Sequence, residues 1–304
     1  MIVVAGEALI DLIPTPSGDL GVHPGGGPFN TARWLGRLGM QVGFLGALAG
    51  DPFGQRLRES LTEAGVALDP VVATQLPTTL ALAQLDDTGA ARYSFYTEGT
   101  SIRDVRPEQV RARLPHQLDA LYLGSIGLVL EPIADAVEVA VALARQRGAL
   151  VMVDPNVRAA LIDDRARYLR RLDSVLAQTD VLKLSVEDAA WLMPDRTPDA
   201  AARALGERGP RVVLLTEGGD GATVFSAGTQ AHVPAASVTV VDTIGAGDAF
   251  GAGFLANWLG ADRSAPDAVA EATASAIRAA GLACTVQGAT PPADLAARLS
   301  PTQR

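Results

Sequence analysis

The sequence sets a carboxylate inside a glycine run, Asp242-Thr-Ile-Gly245-Ala246-Gly247-Asp248-Ala-Phe250, continued by Gly251-Ala-Gly-Phe254. An extended stretch (237–241) leads into the glycines, and an apolar helical pattern opens directly after Asp248. Glycines at a loop-to-helix junction let backbone N–H groups converge on an anion, and the helix start adds partial positive charge. Such a nest can stabilise the charge on a phosphoryl group in transfer. A carboxylate beside it can accept the proton of an attacking hydroxyl. Asp is equally a favoured helix cap, so from these residues alone the two roles for Asp248 balance.

A second glycine run, Gly25-Gly26-Gly27-Pro-Phe-Asn30-Thr-Ala32, also opens a helical pattern. Its glycines admit close approach of backbone to a ligand, and Asn30 can both donate to and accept from a hydroxyl. A tight turn in which Asn30 serves only the backbone is the alternative. No Gly-Lys-Ser/Thr follows, which argues against a P-loop phosphate cradle. The first strand ends in Gly6-Glu-Ala-Leu-Ile-Asp11 and lacks Gly-x-Gly-x-x-Gly, which argues against a nicotinamide-dependent dehydrogenase.

The elements that must hold these motifs follow a repeated rhythm of β-branched run, turn and Ala/Leu/Arg-rich helical stretch. Strands are predicted at 2–4, 41–45, 120–123, 150–153, 181–184 and 212–216. Helices are predicted at 29–38, 54–64, 133–147, 163–178, 186–191, 200–208, 249–259 and 268–283. Alternation of this kind predicts an α/β fold, a mainly parallel sheet covered by helices on both faces, and continuous apolar strands suit double coverage. Two extended segments, about 11–24 and 77–98, break the rhythm, the second around the turn signal Asp86-Asp-Thr-Gly89. They read as a small antiparallel element projecting from the body, or equally as an ordinary edge hairpin. No repeat or linker divides the chain, so residues 1–304 are expected to form one domain.

Composition narrows the partners. The net charge of −9 and the absence of a Lys/Arg cluster argue against nucleic acid. No apolar run approaches a membrane span, and Met1-Ile-Val-Val-Ala-Gly6 lacks the basic start of a signal peptide. With a single cysteine, Cys284, these features predict a cytoplasmic protein. His23, His116, His232 and Cys284 are too scattered for zinc, whereas a hard cation such as Mg²⁺ held by carboxylates stays open. Trp34, Trp191 and Trp258 sit in helical patterns and read as core.

The two glycine motifs, in this order and spacing, resemble the hallmarks of the PfkB (ribokinase-like) carbohydrate kinase family over nearly the whole chain. Within it the likeness is strongest to bacterial fructokinases. Gly6–Asp11, Gly124-Ser-Ile-Gly-Leu128, Asp154-Pro-Asn-Val-Arg158, Lys183-Leu-Ser-Val-Glu-Asp188 and Cys284-Thr-Val-Gln-Gly-Ala289 carry that likeness. The resemblance implies a ribokinase-like core with a small β-sheet lid formed by the two extended segments. It implies transfer of the γ-phosphoryl group of ATP to a hexose, fructose at its 6-hydroxyl. A kinase for 2-keto-3-deoxygluconate, ribose or a nucleoside is the alternative, and a non-catalytic sugar-binding protein on the same fold is a more distant one.

By matching position, Asp248 would be the base, with Gly245, Ala246 and Gly247 as anion hole. Asp11, Gly26, Gly27, Asn30, Phe95 and Arg158 would hold the sugar, although Arg158 also fits a surface salt bridge. Lys183, Ser185, Thr216, Glu217, Gly218, Gly221, Gly247 and Ala279 would surround ATP. The family's metal-linked Asn-x-x-Glu is read at Ser185-Val-Glu187-Asp188, with Ser185 replacing Asn. Glu187 would then act on Mg²⁺ through water, or else only pair with the helix start. Asp242, Ile244, Cys284 and Gly288 fall where family members bind a monovalent cation such as K⁺, and lids of this family often pair into homodimers.

Overall fold

The computed structural model describes residues 1–15, 17–85, 91–265 and 267–299, so the turn expected at 86–89 lies outside the described residues. The first part of the chain comprises β1 (Ile2–Ala5), β2 (Leu9–Pro14), β3 (Leu20–Gly25), α1 (Gly27–Arg37), β4 (Val42–Leu45), β5 (Ala47–Ala49), α2 (Pro52–Glu63), β6 (Val72–Thr74), β7 (Leu80–Leu85) and β8 (Ala91–Tyr96). There follow α3 (Pro107–Arg113), β9 (Ala120–Gly124), α4 (Ile133–Gln146), β10 (Leu150–Asp154), α5 (Arg165–Leu176), β11 (Val181–Ser185), α6 (Val186–Leu192), α7 (Pro198–Gly206) and β12 (Val212–Thr216). The chain continues through β13 (Ala222–Ser226), β14 (Thr229–Val233), α8 (Ala246–Gly260), α9 (Ala268–Ala283) and α10 (Leu295–Leu299).

The main sheet has the order β14-β13-β12-β11-β10-β9-β1-β4. From β4 to β12 every pairing is parallel, and an antiparallel edge hairpin, β13–β14, completes it. Side chains alternate between two cores. Val3, Leu121, Val151, Leu182 and Val213 face a layer containing Val137, Leu172 and Leu205. Val4, Tyr122, Met152, Val181 and Leu214 face Phe29, Trp34, Leu57, Phe254 and Ala276. A strand buried on both faces has no polar side to show, which is why these strands read as unbroken apolar runs.

The two segments that broke the rhythm form a four-stranded sheet, β3-β2-β7-β8. It is not wholly antiparallel as expected, because β2 and β7 pair in parallel with Ile10 opposite Leu80. The strands also begin earlier than the sequence pattern placed the first segment, at Leu9 instead of Asp11. The stretch 237–241 forms no strand. It lies open instead, with Val240 and Val241 each about 60% exposed.

Four helix starts among the described residues carry a side-chain cap. Asp51, Asp164, Ser185 and Thr197 each cap a helix by accepting a backbone N–H three residues on. Helix α8 begins differently, at a left-handed Gly245 (φ 80°) with no side-chain cap. Its first-turn N–H groups have no side chain to satisfy them.

Candidate active site

Strand β1 has β4 on one side and β9 on the other, although β4 follows it in sequence and β9 comes much later. In open α/β sheets, ligands bind beyond the strand carboxyl ends where the order reverses in this way. The candidate residues collect there. A cavity of about 410 Å³ is lined by Glu7, Asp11, Gly26, Gly27, Asn30, Tyr93, Phe95, Arg158, Ile244, Gly245 and Asp248, with Leu9, Ile126 and Val157–Ala160 completing the wall. A larger groove of about 780 Å³ opens elsewhere, around Arg145, Asp180, Phe225 and Trp258, and holds none of the motif residues.

At the centre, Asp248 sits in the first turn of α8 and is 8% exposed. Asn30 Nδ2 donates to Asp248 Oδ2 at 3.0 Å, which joins the two glycine motifs through their polar residues. The Oδ1 atom of Asn30 is buried without a partner. Burial pushes the Asp248 carboxyl up to about 7, against the opposing pull of the Asn30 hydrogen bond and the charges of Lys183 and Arg158. Asp11 is likewise pushed up to about 7 by burial, with Arg158 opposing and Glu7 reinforcing. Two carboxyls with near-neutral pKa values in one cavity suit proton acceptance and hydroxyl binding.

The glycines make room for this arrangement. A Cβ on Gly25 would lie 1.9 Å from Asp11 Oδ2, one on Gly26 2.7 Å from the Glu7 carbonyl, and one on Gly27 3.3 Å from Asp248 Oδ1. Gly25→Ala is therefore expected to displace Asp11 and to raise the KM for the acceptor about tenfold while the nucleotide KM holds. Steady-state kinetics against both substrates checks this, and an unchanged acceptor KM would remove Asp11 from acceptor binding.

Beneath the α8 start lies a buried ion pair. Lys183 Nζ donates to Asp154 Oδ2 at 2.6 Å, and Tyr122 OH donates to the same oxygen at 3.1 Å. A Cβ on Gly247 would stand 3.3 Å from Lys183 Nζ, so the ammonium lies directly under the glycine turn. Burial drives the Lys183 pKa down, but the Asp154 charge and hydrogen bond outweigh it and hold it above its ordinary value.

Other candidates are placed differently from the sequence expectation. Glu187 is exposed, and the inward carboxylate on α6 is its neighbour Asp188, 7% exposed, which accepts from Val157 N and Ser185 N. The Asn-x-x-Glu pattern places its carboxylate three residues after its first position, which from Ser185 is Asp188 and not Glu187. Ala279 is fully buried between α9 and α8, where a Cβ on Gly253 would strike it at 2.8 Å. It has no surface left for a nucleotide. Lys183 is committed to Asp154, and Ser185 caps α6. Thr216, Glu217, Gly218 and Gly221 lie at the end of β12 outside the cavity, and the Glu217 carboxylate is taken up by Thr223 and His232.

Asp242, Cys284 and Gly288 do meet. Asp242 accepts from Ile244 N and Gly288 N, and the Cys284 carbonyl accepts from Val241 N. Both Asp242 oxygens are thereby used in shaping the loop, so a monovalent cation there would rest on backbone carbonyls. Among the described residues no cluster of three or more His, Cys, Asp or Glu side chains could hold a metal. Mg²⁺ keeps its waters and binds through substrate phosphates, so it would need no all-protein cage. The uncapped α8 start and the unpartnered Asn30 Oδ1 fit an anion and a hydroxyl respectively.

Two residues outside the expected set complete the site. Glu7, 2% exposed, accepts from Gly27 N at 3.2 Å and Gly127 N at 3.4 Å, tying the glycine loop to the loop after β9. Tyr93 stacks on Phe95 at 6.0 Å between ring centres, and their spacing of two along β8 put both rings on one face.

Residues 1–295 match the family described as pfkB family carbohydrate kinase. The chain belongs to this family. A fructokinase of Rhizobium leguminosarum bv. trifolii is 37% identical over 263 residues, covering 84% of this chain and 79% of that protein. The structure of a Vibrio cholerae O395 fructokinase with fructose, ADP and calcium superposes with TM-score 0.87 at 25% identity, covering 98% of each chain. The aminoimidazole riboside kinase of Salmonella enterica, complexed with aminoimidazole riboside and an ATP analogue, gives TM-score 0.88 at 26% identity and 98% coverage of each. For a pfkB family kinase, the mostly parallel sheet with a small second sheet is the expected architecture, and the ribokinase-like fold inferred from the two glycine runs holds. Among the described residues no helix is long and apolar enough to cross a membrane.

Proposed function

We propose that this chain is an ATP-dependent fructokinase that transfers the γ-phosphoryl group to the 6-hydroxyl of fructose. The observation that carries the reading is the Asn30–Asp248 contact at an uncapped helix start, inside a cavity of about 410 Å³ into which Asp11 and Arg158 also reach. ATP with Mg²⁺ supplies the phosphoryl group and neutralises its charge. Asp11, Asn30, Gly26, Gly27 and Arg158 orient the sugar. Asp248 takes the hydroxyl proton as that oxygen attacks, and the N–H groups of the 245–247 turn face the transferred group. Positioning and charge account for catalysis of this kind, with no covalent intermediate on the protein.

Tyr93 and Phe95 on the small sheet cover the sugar and exclude water when that sheet closes. Asp188, whose two oxygens accept from Val157 N and Ser185 N, would act on Mg²⁺ only through water, in place of Glu187. A K⁺ ion would be held by carbonyls of the 242–244 and 284–288 loops, the chain is a single cytoplasmic domain, and copies pair through the small sheet. The exposed Leu20 on β3 and Tyr96 on β8 support that pairing; sedimentation showing only monomer would reject it.

The deciding experiment is a panel of fructose, glucose, ribose, 2-keto-3-deoxygluconate and nucleosides, aminoimidazole riboside included, each with ATP and Mg²⁺. The highest kcat/KM is expected for fructose. Preference for a riboside would move the assignment to a nucleoside kinase, and binding without turnover would leave only a sugar-binding protein.

A further inference from the structure

Arg33 is the least explained side chain of the molecule. It lies on α1 one turn beyond Asn30, is 5% exposed, and has no carboxylate within ion-pair distance among the described residues. Its guanidinium packs over the Phe29 ring at 5.4 Å, and burial lowers its pKa to about 10, which leaves it charged at neutral pH. Nε and Nη1 are buried without a partner, and Nη2 makes the one polar contact, donating to Thr290 Oγ1 at 3.1 Å. A buried cation with two idle donors is costly, so the contact that it does make needs a reason.

Thr290 ends a run in which three successive residues touch three different parts of the site. Gly288 N donates to Asp242 Oδ2 at 2.8 Å. Ala289 occupies the space beside Gly245, where an added Cβ would come within 2.7 Å of its Cβ and 2.9 Å of its Cα. Thr290 reaches α1 through Arg33. The run therefore bridges the helix that carries Asn30 and the turn that opens α8.

We propose that Arg33 is a positioning residue which, by holding Thr290, presses Ala289 against Gly245 and fixes the α8 turn relative to Asn30 on α1. The inference rests on the kinase reading for its kinetic consequence only. Asn30 and Asp248 meet across 218 residues of sequence, and their 3.0 Å contact requires α1 and the 245–248 turn to keep a fixed spacing. Residues 288–290 supply a strut between them that neither helix contains. Displacement of an anion site by a fraction of an ångström lowers the rate of transfer while leaving acceptor binding largely intact.

Thr290 is exposed, so it can be changed with little risk to folding. Thr290→Val keeps the shape and removes the hydroxyl, whereas Thr290→Ser keeps the hydroxyl. Thr290→Val is expected to lower kcat about tenfold with the acceptor KM within about twofold, and Thr290→Ser to restore kcat. Amide hydrogen exchange at Gly288, measured without substrates, is expected to quicken about tenfold in the Val variant alone. Unchanged exchange at Gly288, or a Val variant that merely melts earlier with normal kcat, overturns the proposal. If the wild-type chain phosphorylates no acceptor, the kinase reading fails while the exchange measurement still decides the strut.

Discussion

Asp248→Asn is expected to lower turnover by about 10²–10⁴-fold while the acceptor KM changes far less. The amide is the same size and still offers an oxygen to Asn30 Nδ2, so the 3.0 Å contact joining the glycine motifs can survive. What it loses is the capacity to take a proton. Turnover within about fivefold of wild type would reduce Asp248 to a helix-start residue. The same substitution has a signature in pH. Wild-type activity is expected to rise through pH values near 7 as Asp248 and Asp11 ionise, and the two carboxyls share that limb because they share the cavity.

Stability runs the other way. Burial makes native Asp248 hold its proton more tightly than the unfolded chain does. Its contribution is therefore full below the ordinary value of 3.8 and is lost as pH rises towards about 7. The Asn variant carries no such penalty, so it should be more stable than wild type at pH 8 and equal to it near pH 4. Denaturant unfolding at the two pH values checks the sign. A variant less stable than wild type at pH 8 would contradict the burial argument.

Lys183→Met is the second large effect, a loss of about 3–5 kcal/mol. The ammonium is 5% exposed and the Asp154 side chain 3%, and Asp154 Oδ1 already lacks a partner. Removing the cation leaves a buried carboxylate supported by Tyr122 OH alone. The double variant Lys183→Met/Asp154→Leu should recover much of the loss, because it removes both charges together. A single variant within about 1 kcal/mol of wild type would mean that water reaches this pair. Activity should fall in both variants, since the ammonium lies under Gly247 in the anion-facing turn.

Much of this was legible in the chain. Continuous apolar runs such as 150–153 gave the doubly covered strands, and the two glycine motifs gave the residues that meet at Asp248. The limits have physical causes. The edge strand β14, Thr-Gln-Ala-His-Val, is exposed along nearly its whole length, so it lacked the apolar signature of its neighbours. Parallel pairing of β2 with β7 is a long-range choice invisible to a local hairpin signal. Ala279 and Ala280 differ only in which side of α9 they occupy, and helical period alone did not fix that side against α8. Glu187 and Asp188 carry the same charge, so only the three-residue step from Ser185 could separate them. Arg33 gave no signal, because a buried arginine reads like a surface one until Thr290 is brought to it from 257 residues away.

Lys183 is the only lysine in the chain. With its side chain 5% exposed and locked to Asp154, Lys183 is closed to amine chemistry on the native protein. Acylation of Lys183 then waits on an opening that lifts the α8 turn and releases the amine from Asp154. That single nitrogen is an internal clock: its labelling rate reports how often the α8 turn lifts from the end of the sheet on which it rests.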